Sequence, residues 1–194
     1  MRKLGIIIGV AALSLAGPAL AYKLIAKSVT VVAGKAVTVT PGRDWNRIGF
    51  ARGKVAESWT LDGLALNDVT FFGGIPDNTT LIKDRQKREA PLPRFSKSML
   101  PPDIAQLFEG TYRVALRTSQ FSIDSVEPAT FAGKQGFHFR YSFELINENV
   151  KRKGEAYGAI NNGKLYLMTY EAPAIFYFDR NRADFAALVE SARI

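Results

Sequence analysis

The residues best suited to chemistry lie in the last third of the chain. His138 and Arg140 alternate with aromatics in Gly136-Phe-His-Phe-Arg-Tyr-Ser-Phe-Glu-Leu, and Thr169 and Glu171 alternate with Met168 and Tyr170. A base, a cation, a hydroxyl and a carboxylate are the groups that orient a small or extended polar ligand over a floor without bulk. The segment Gly154-Glu-Ala-Tyr-Gly158 offers such a floor through Gly154, Ala156 and Gly158. The competing reading is that small residues there let a helix pack closely.

Other chemistries are excluded or disfavoured by residue type. His138 is the only histidine and there is no cysteine, so two-histidine, thiolate and disulfide sites are impossible and no metal is expected. A Ser-His-Asp triad would have to use His138, and no Gly-x-Ser-x-Gly elbow is present. No phosphate-binding or dinucleotide-binding glycine pattern occurs, and nothing calls for a cofactor. Glu144, Glu155 and Glu171 are candidates for paired-carboxylate work, but the register below sets Glu155 on the face opposite the other two. No residue is assigned a catalytic role.

The elements that must position these groups form a meander from Gly136 to Ala172. Phe137, Phe139, Tyr141, Phe143 and Leu145 recur at period two, which predicts a strand with one apolar face. Asn147-Glu148-Asn149 and Asn162-Gly163 supply the turns. Pairing Ile146 with Val150 places Phe139 opposite Tyr157 and His138 opposite Gly158. Pairing Asn161 with Lys164 places Tyr157 opposite Met168 and Gly158 opposite Leu167. One face then carries Phe137, Phe139, Tyr141, Tyr157, Tyr166, Met168 and Tyr170 as core. The other carries His138, Arg140, Ser142, the bare strip, Leu167, Thr169 and Glu171. A slip of one residue would exchange the faces of a whole strand.

The rest of the chain reads as one domain behind a targeting segment. Its 194 residues are 47% apolar, which is a globular composition. Residues 1–21 have Arg2 and Lys3, an apolar run and Ala19-Leu20-Ala21, the pattern of a cleaved secretory signal peptide. The alternative is an uncleaved anchor through residues 4–22. Either places the remainder in the periplasm or outside the cell. Residues 22–35 read as a linker or a first strand, and residues 36–194 as a single domain. Asp62-Gly63 suggests a hairpin between Glu57-Ser-Trp-Thr-Leu and Leu64-Ala-Leu. Val69-Thr-Phe-Phe and Phe121-Ser-Ile-Asp-Ser-Val are further strands. Residues 73–98 are irregular. Pro101-Pro102-Asp103 opens a helix with Ile104, Leu107, Phe108, Thr111 and Tyr112 on one face, and residues 179–193 close the chain as a second helix.

Charge points to partners. The formal net charge is +8, and +6 without residues 1–21. Residues 83–97 hold Lys83, Arg85, Lys87, Arg88, Arg94 and Lys97 against Asp84 and Glu89. Such a run is either a solvated loop or an electrostatic contact to an envelope protein or an anionic membrane surface. No aromatic-and-basic stacking platform accompanies it, so nucleic acid is not an expected partner.

Met99-Leu-Pro-Pro-Asp-Ile, Phe131-Ala-Gly-Lys-Gln-Gly-Phe, Gly163-Lys-Leu-Tyr, Tyr170-Glu-Ala-Pro and the end from Phe185 to Ser191 resemble the PsbP-like superfamily. That superfamily includes a photosystem oxygen-evolving subunit, a nuclear import factor and many bacterial envelope proteins. The resemblance implies an α+β fold, an antiparallel sheet packed by helices as an αβα-type sandwich with the C-terminal helix closing the core. It also implies a binding or assembly role without catalysis, and it carries over no site residue.

Overall fold

Two tight turns set the large hairpins of this chain. Ala132-Gly133 and Asn162-Gly163 all have positive φ, the backbone that two-residue hairpins of the favoured twist require. The computed structural model describes residues 22–194, apart from 50–51, 86–87, 119, 147 and 149. The signal-peptide or anchor segment, Lys87, and part of the Asn147–Asn149 turn lie outside the described residues.

The strands are β1 (Tyr22–Ile25), β2 (Thr30–Val32), β3 (Val37–Val39), β4 (Trp45–Ile48), β5 (Ala56–Thr60) and β6 (Asp68–Ile75). After helix α1 (Pro101–Leu116) come β7 (Phe121–Phe131), β8 (Lys134–Glu144), β9 (Lys151–Asn161) and β10 (Lys164–Pro173), and α2 (Tyr177–Ser191) closes the chain. Eight strands form one antiparallel sheet in the order β1-β4-β5-β6-β10-β9-β8-β7, and β2 pairs with β3 as a separate hairpin. Residues 22–35, for which the sequence allows a linker or a first strand, hold β1 and β2.

A hydrophobic core lies on each face of the sheet. On one, Ile104, Leu107, Phe108 and Tyr112 of α1 cover Phe121, Phe137, Phe139, Tyr141 and Phe143. Phe108 lies 5.4 Å from Phe139 and 5.0 Å from Tyr141 between ring centroids, within the range of favourable aromatic pairs. On the other, Phe178, Phe185 and Leu188 of α2, with Val32, Val37 and Val39 of the small hairpin, cover Trp59, Phe71, Met168 and Tyr170. The α+β sandwich expected from the sequence is the architecture observed.

Three local expectations need correction. Leu64-Ala-Leu is not a strand: Asp62-Gly63 belongs to a longer connection, with Leu66 N–H and Asn67 N–H both donating to the Gly63 carbonyl, and the hairpin partner of β5 is β6. Irregular structure does not begin at Gly73, because β6 runs through Gly73-Gly74 to Ile75. Gly73 is needed there since Ala33 and Ala36 of the small hairpin approach within 3 Å of where a Cβ would stand.

The third correction is the register of β8 on β9. Phe139 pairs with Ala156 and His138 with Tyr157, one residue away from the pairing expected. The strands end at Glu144 and Lys151, so the connection takes six residues, 145–150, where a pairing of Ile146 with Val150 leaves three. The β9–β10 register is as expected, with Tyr157 opposite Met168 and Gly158 opposite Leu167. The slip moves Phe137, Phe139 and Tyr141 onto the face of Gly158, Ala156 and Gly154. Tyr157, Tyr166, Met168 and Tyr170 form the other face. Glu155 consequently shares its face with Glu144, and Glu171 lies opposite both.

The small residues of β9 now have a physical reason. A Cβ on Gly154 would stand inside the Tyr141 ring, and one on Gly158 would meet Phe137 Cζ at 2.7 Å and Leu167 Cδ1 at 2.9 Å. Gly154→Ala should therefore destabilise the domain by about 1–3 kcal/mol in urea denaturation, the usual cost of forcing bulk into a packed core. Gly42→Ala, whose Cβ meets nothing within 4 Å, should change it by less than about 0.5 kcal/mol.

Candidate functional site

The strip over Gly154, Ala156 and Gly158 is not a groove, because the aromatic rings of β8 lie across it and α1 packs on those rings. The four candidate groups are also divided by the sheet. Thr169 and Glu171 face α1, and His138 and Arg140 face α2. Each pair belongs to a different polar cluster.

The α1-side cluster is built on the row Asp68–Glu171–Gly154–Tyr141 across β6, β10, β9 and β8. Two carboxylates are thus neighbours in a buried sheet, and the surrounding groups answer that charge. Tyr112 of α1 donates to Glu171 Oε2 at 2.7 Å, and Tyr141 donates to the same oxygen at 3.4 Å. Arg52 forms an ion pair with Asp68, and Thr70 donates to Asp68 Oδ1 at 3.1 Å. Arg152, also buried, donates to the Ala65 carbonyl and stands 6.0 Å from the Phe143 ring centroid.

Burial and the Asp68 charge push the Glu171 carboxyl up, and the Arg52 and Arg152 charges with the Tyr112 hydrogen bond only partly offset this. Burial and the neighbouring Glu171 and Asp68 charges push both phenols well above their ordinary range, so they stay protonated and donate. Thr169 takes a lesser part, reaching the Thr70 carbonyl at 3.5 Å. Such a cluster locks α1 to β10. It presents no open floor to a ligand.

On the α2 side, His138 Nε2 lies 3.2 Å from Glu155 Oε2, and its ring stacks on Tyr157 at 4.2 Å. Arg182, one turn into α2, grips the same carboxylate in a fork, with Nε to Oε1 at 3.0 Å and an amino nitrogen to Oε2 at 3.1 Å. Burial works to raise the Glu155 pKa, but the His138 and Arg182 hydrogen bonds and charges outweigh it, and the carboxyl sits below its ordinary value. Arg140 is the cross-strand partner of Glu155 and is exposed. This arrangement ties α2 to the sheet. The imidazole is engaged by a carboxylate and an aromatic ring.

Of the basic run, Lys83, Arg85, Arg88 and Arg94 are exposed. Arg94 donates to the Asn78 carbonyl at 2.7 Å, and Asp84 accepts from Leu92 N–H at 3.2 Å, so the segment is pinned at its far end. A separate cleft of 490 Å³ opens beside the start of α1, lined mainly by Met99, Pro101, Ile104, Val126, Phe137 and Ile160. Among the described residues no group of three or more acidic, His or Cys side chains could hold a metal ion, and no helix is long and apolar enough to cross a membrane.

Sequence reasoning missed Asp68, Arg52, Tyr112 and Arg152 beside Glu171, and Arg182 beside Glu155. Tyr112 and Arg182 are readable as helix positions, but their targets are not. The Asp68–Glu171 pairing joins strands about a hundred residues apart, and no local pattern encodes it.

An eight-stranded antiparallel sheet held between two helices, with its polar groups locked to each other, defines an α+β sandwich. More particularly, its fold is like that of a solved PsbP structure. The chain is similar to the solution structure of cyanobacterial PsbP (CyanoP) from Synechocystis sp., with TM-score 0.57 at 14% identity over 95% of this chain and 99% of that one. A crystal structure from Bacteroides thetaiotaomicron aligns with TM-score 0.51 at 8% identity over 87% of this chain and 48% of that one. The Ran-binding protein Mog1p of Saccharomyces cerevisiae aligns with TM-score 0.44 at 8% identity, covering 91% and 96%. At such identities the first two likenesses are of fold alone. No protein-family model matches the chain, and no curated protein does.

The two buried glutamates should respond to pH in opposite senses. Glu171 has a folded pKa above the ordinary 4.5, so its stabilising contribution is full below pH 4.5 and is lost as pH rises through the folded value. Glu171→Gln should accordingly gain on the wild type as pH rises. Glu155 has a folded pKa below 4.5, so its contribution is present above pH 4.5 and lost on acidification. The deficit of Glu155→Gln should be largest near neutrality and close in acid. Urea denaturation from pH 3 to pH 8 reads both slopes, and slopes of the same sign would refute the assignment.

Proposed function

We propose that the chain is a non-catalytic, exported binding protein of the cell envelope, engaging a protein partner or the anionic membrane surface through charge on its exterior. The observation that carries this reading is the exposed basic segment with Lys83, Arg85, Arg88 and Arg94. The signal-like residues 1–21 and the likeness to a PsbP structure support it. Both polar clusters are consumed in attaching helices to the sheet, which leaves the exterior as the place for function. The cleft beside α1 favours a second reading, in which the domain holds a small apolar ligand. It would replace the ligand site over Gly154, Ala156 and Gly158.

Exposed charges act over about 8–10 Å at physiological salt and further at low salt. Crosslinked pull-down of the tagged protein from its native envelope should recover its partner more efficiently at low salt. Replacing Lys83, Arg85, Arg88 and Arg94 by Gln should lower recovery several-fold and flatten the salt dependence. Recovery that is independent of both salt and these four residues would remove the segment from the account.

A further inference from the structure

One end of the sheet carries an apolar tip that neither core explains. Ile175 is 82% exposed and Phe176 62%, adjacent in sequence between β10 and α2. The hydrogen bond from Ala174 N–H to the Lys151 carbonyl holds this tip against the β8–β9 connection. That connection contributes Ile146, 56% exposed, and Val150, 39% exposed. Four large apolar side chains therefore project from two neighbouring turns.

The backbone beneath them is strained. Phe176 has φ 68° and ψ −55°, and Tyr177 N–H donates back to the Ile175 carbonyl at 2.8 Å. This is the γ-turn of positive φ, rare and unfavourable for any residue with a side chain. Strain of this kind persists where the surrounding structure enforces it, and it concentrates at functional positions. Here it displays a phenylalanine to solvent at the entrance to α2, although glycine would adopt the same backbone freely.

The tip has a basic collar. Lys151, Lys153 and Arg180 are exposed around it against exposed Glu148 and Asp179, an excess of one cation, and the Arg180 guanidinium stands 5.4 Å from the Phe176 ring centroid and 4.0 Å from Asp62. Lys153 Nζ is 6.0 Å from the Phe178 ring. Long cationic side chains resting on apolar groups can keep their charge at the headgroup level while those groups enter the acyl region. The exposed apolar area amounts to only a few hundred Å², well below the roughly 800 Å² per partner of a stable protein interface. A projecting apolar tip with a cationic collar is complementary to an anionic lipid surface, where small insertions and headgroup attraction add.

We infer that Ile175 and Phe176, with Ile146 and Val150, form a lipid-insertion tip that docks the domain on an anionic bilayer. The inference rests on the envelope-binding reading and assigns it a second contact, distinct from the basic segment at residues 83–94.

The test uses residues 22–194, which contain every described element and both cores. They are mixed with vesicles of phosphatidylcholine alone and of phosphatidylcholine with phosphatidylglycerol, and binding is read by co-sedimentation. The wild type should prefer the anionic vesicles. Phe176→Gly should bind them about tenfold more weakly or worse, with an unchanged or raised melting temperature because the turn is relieved. Lys151→Gln and Lys153→Gln should each weaken binding about fivefold. The inference is overturned if Phe176→Gly binds as the wild type does, or if the wild type shows no preference for anionic vesicles. It is also overturned if Phe176→Gly abolishes a self-association of the wild type, because the tip then docks a second copy. Loss of binding only on replacing Lys83, Arg85, Arg88 and Arg94 would overturn the tip while sustaining the envelope-binding reading. That reading fails separately, by the pull-down.

Discussion

The pairing of β8 with β9 is the constraint on which most of this molecule depends. It lays the rings of Phe137, Phe139 and Tyr141 over Gly158, Ala156 and Gly154, where a larger side chain would collide with them. Strand β9 is thin on that face because its neighbour is thick. The rings then stand as a layer against which Phe108 and Tyr112 of α1 can pack. Each Phe or Leu so buried contributes about 1.5–3 kcal/mol, and the layer provides several of them.

The same register decides where charge goes. With Tyr141 facing α1, its hydroxyl meets Glu171, and the Asp68–Glu171 pair is sheltered between the helix and the sheet. With His138 and Glu155 facing α2, the carboxylate becomes the anchor for Arg182. Each helix is therefore attached by an apolar face and one buried carboxylate. Breaking either pairing leaves a buried polar group without its partner, which is costlier than never having placed one there. A scaffold arranged in this way spends its unusual groups on its own architecture. The surface retains the means of recognition, in the exposed cations and the Ile175–Phe176 tip.

Much of the fold was legible in the sequence, and the reason is local. The period-two aromatics from Phe137, the Asn162-Gly163 turn and the Pro101-Pro102-Asp103 start each encode an element within a few residues. The α+β sandwich was what the resemblance to the PsbP-like superfamily implied. The candidate site was not legible, because its geometry turns on a single residue of register. Ile146 and Val150 look like the last strand pair, yet both are exposed in the connection. That one step exchanged the faces of β8, separating His138 and Arg140 from Thr169 and Glu171. Asp68 and Arg52 were beyond reach for a different reason, since their contacts with the last strand and its neighbours depend on the sheet order and not on any nearby pattern.

Cross-strand nuclear Overhauser contacts in the isotopically labelled domain test this account most directly. The account predicts contacts between His138 and Tyr157, and between Phe139 and Ala156, with the Tyr141 ring over Gly154. Contacts instead between Phe139 and Tyr157, and between His138 and Gly158, would contradict it. They would restore an open strip at Gly154 to Gly158 and return His138, Arg140, Thr169 and Glu171 to a single face.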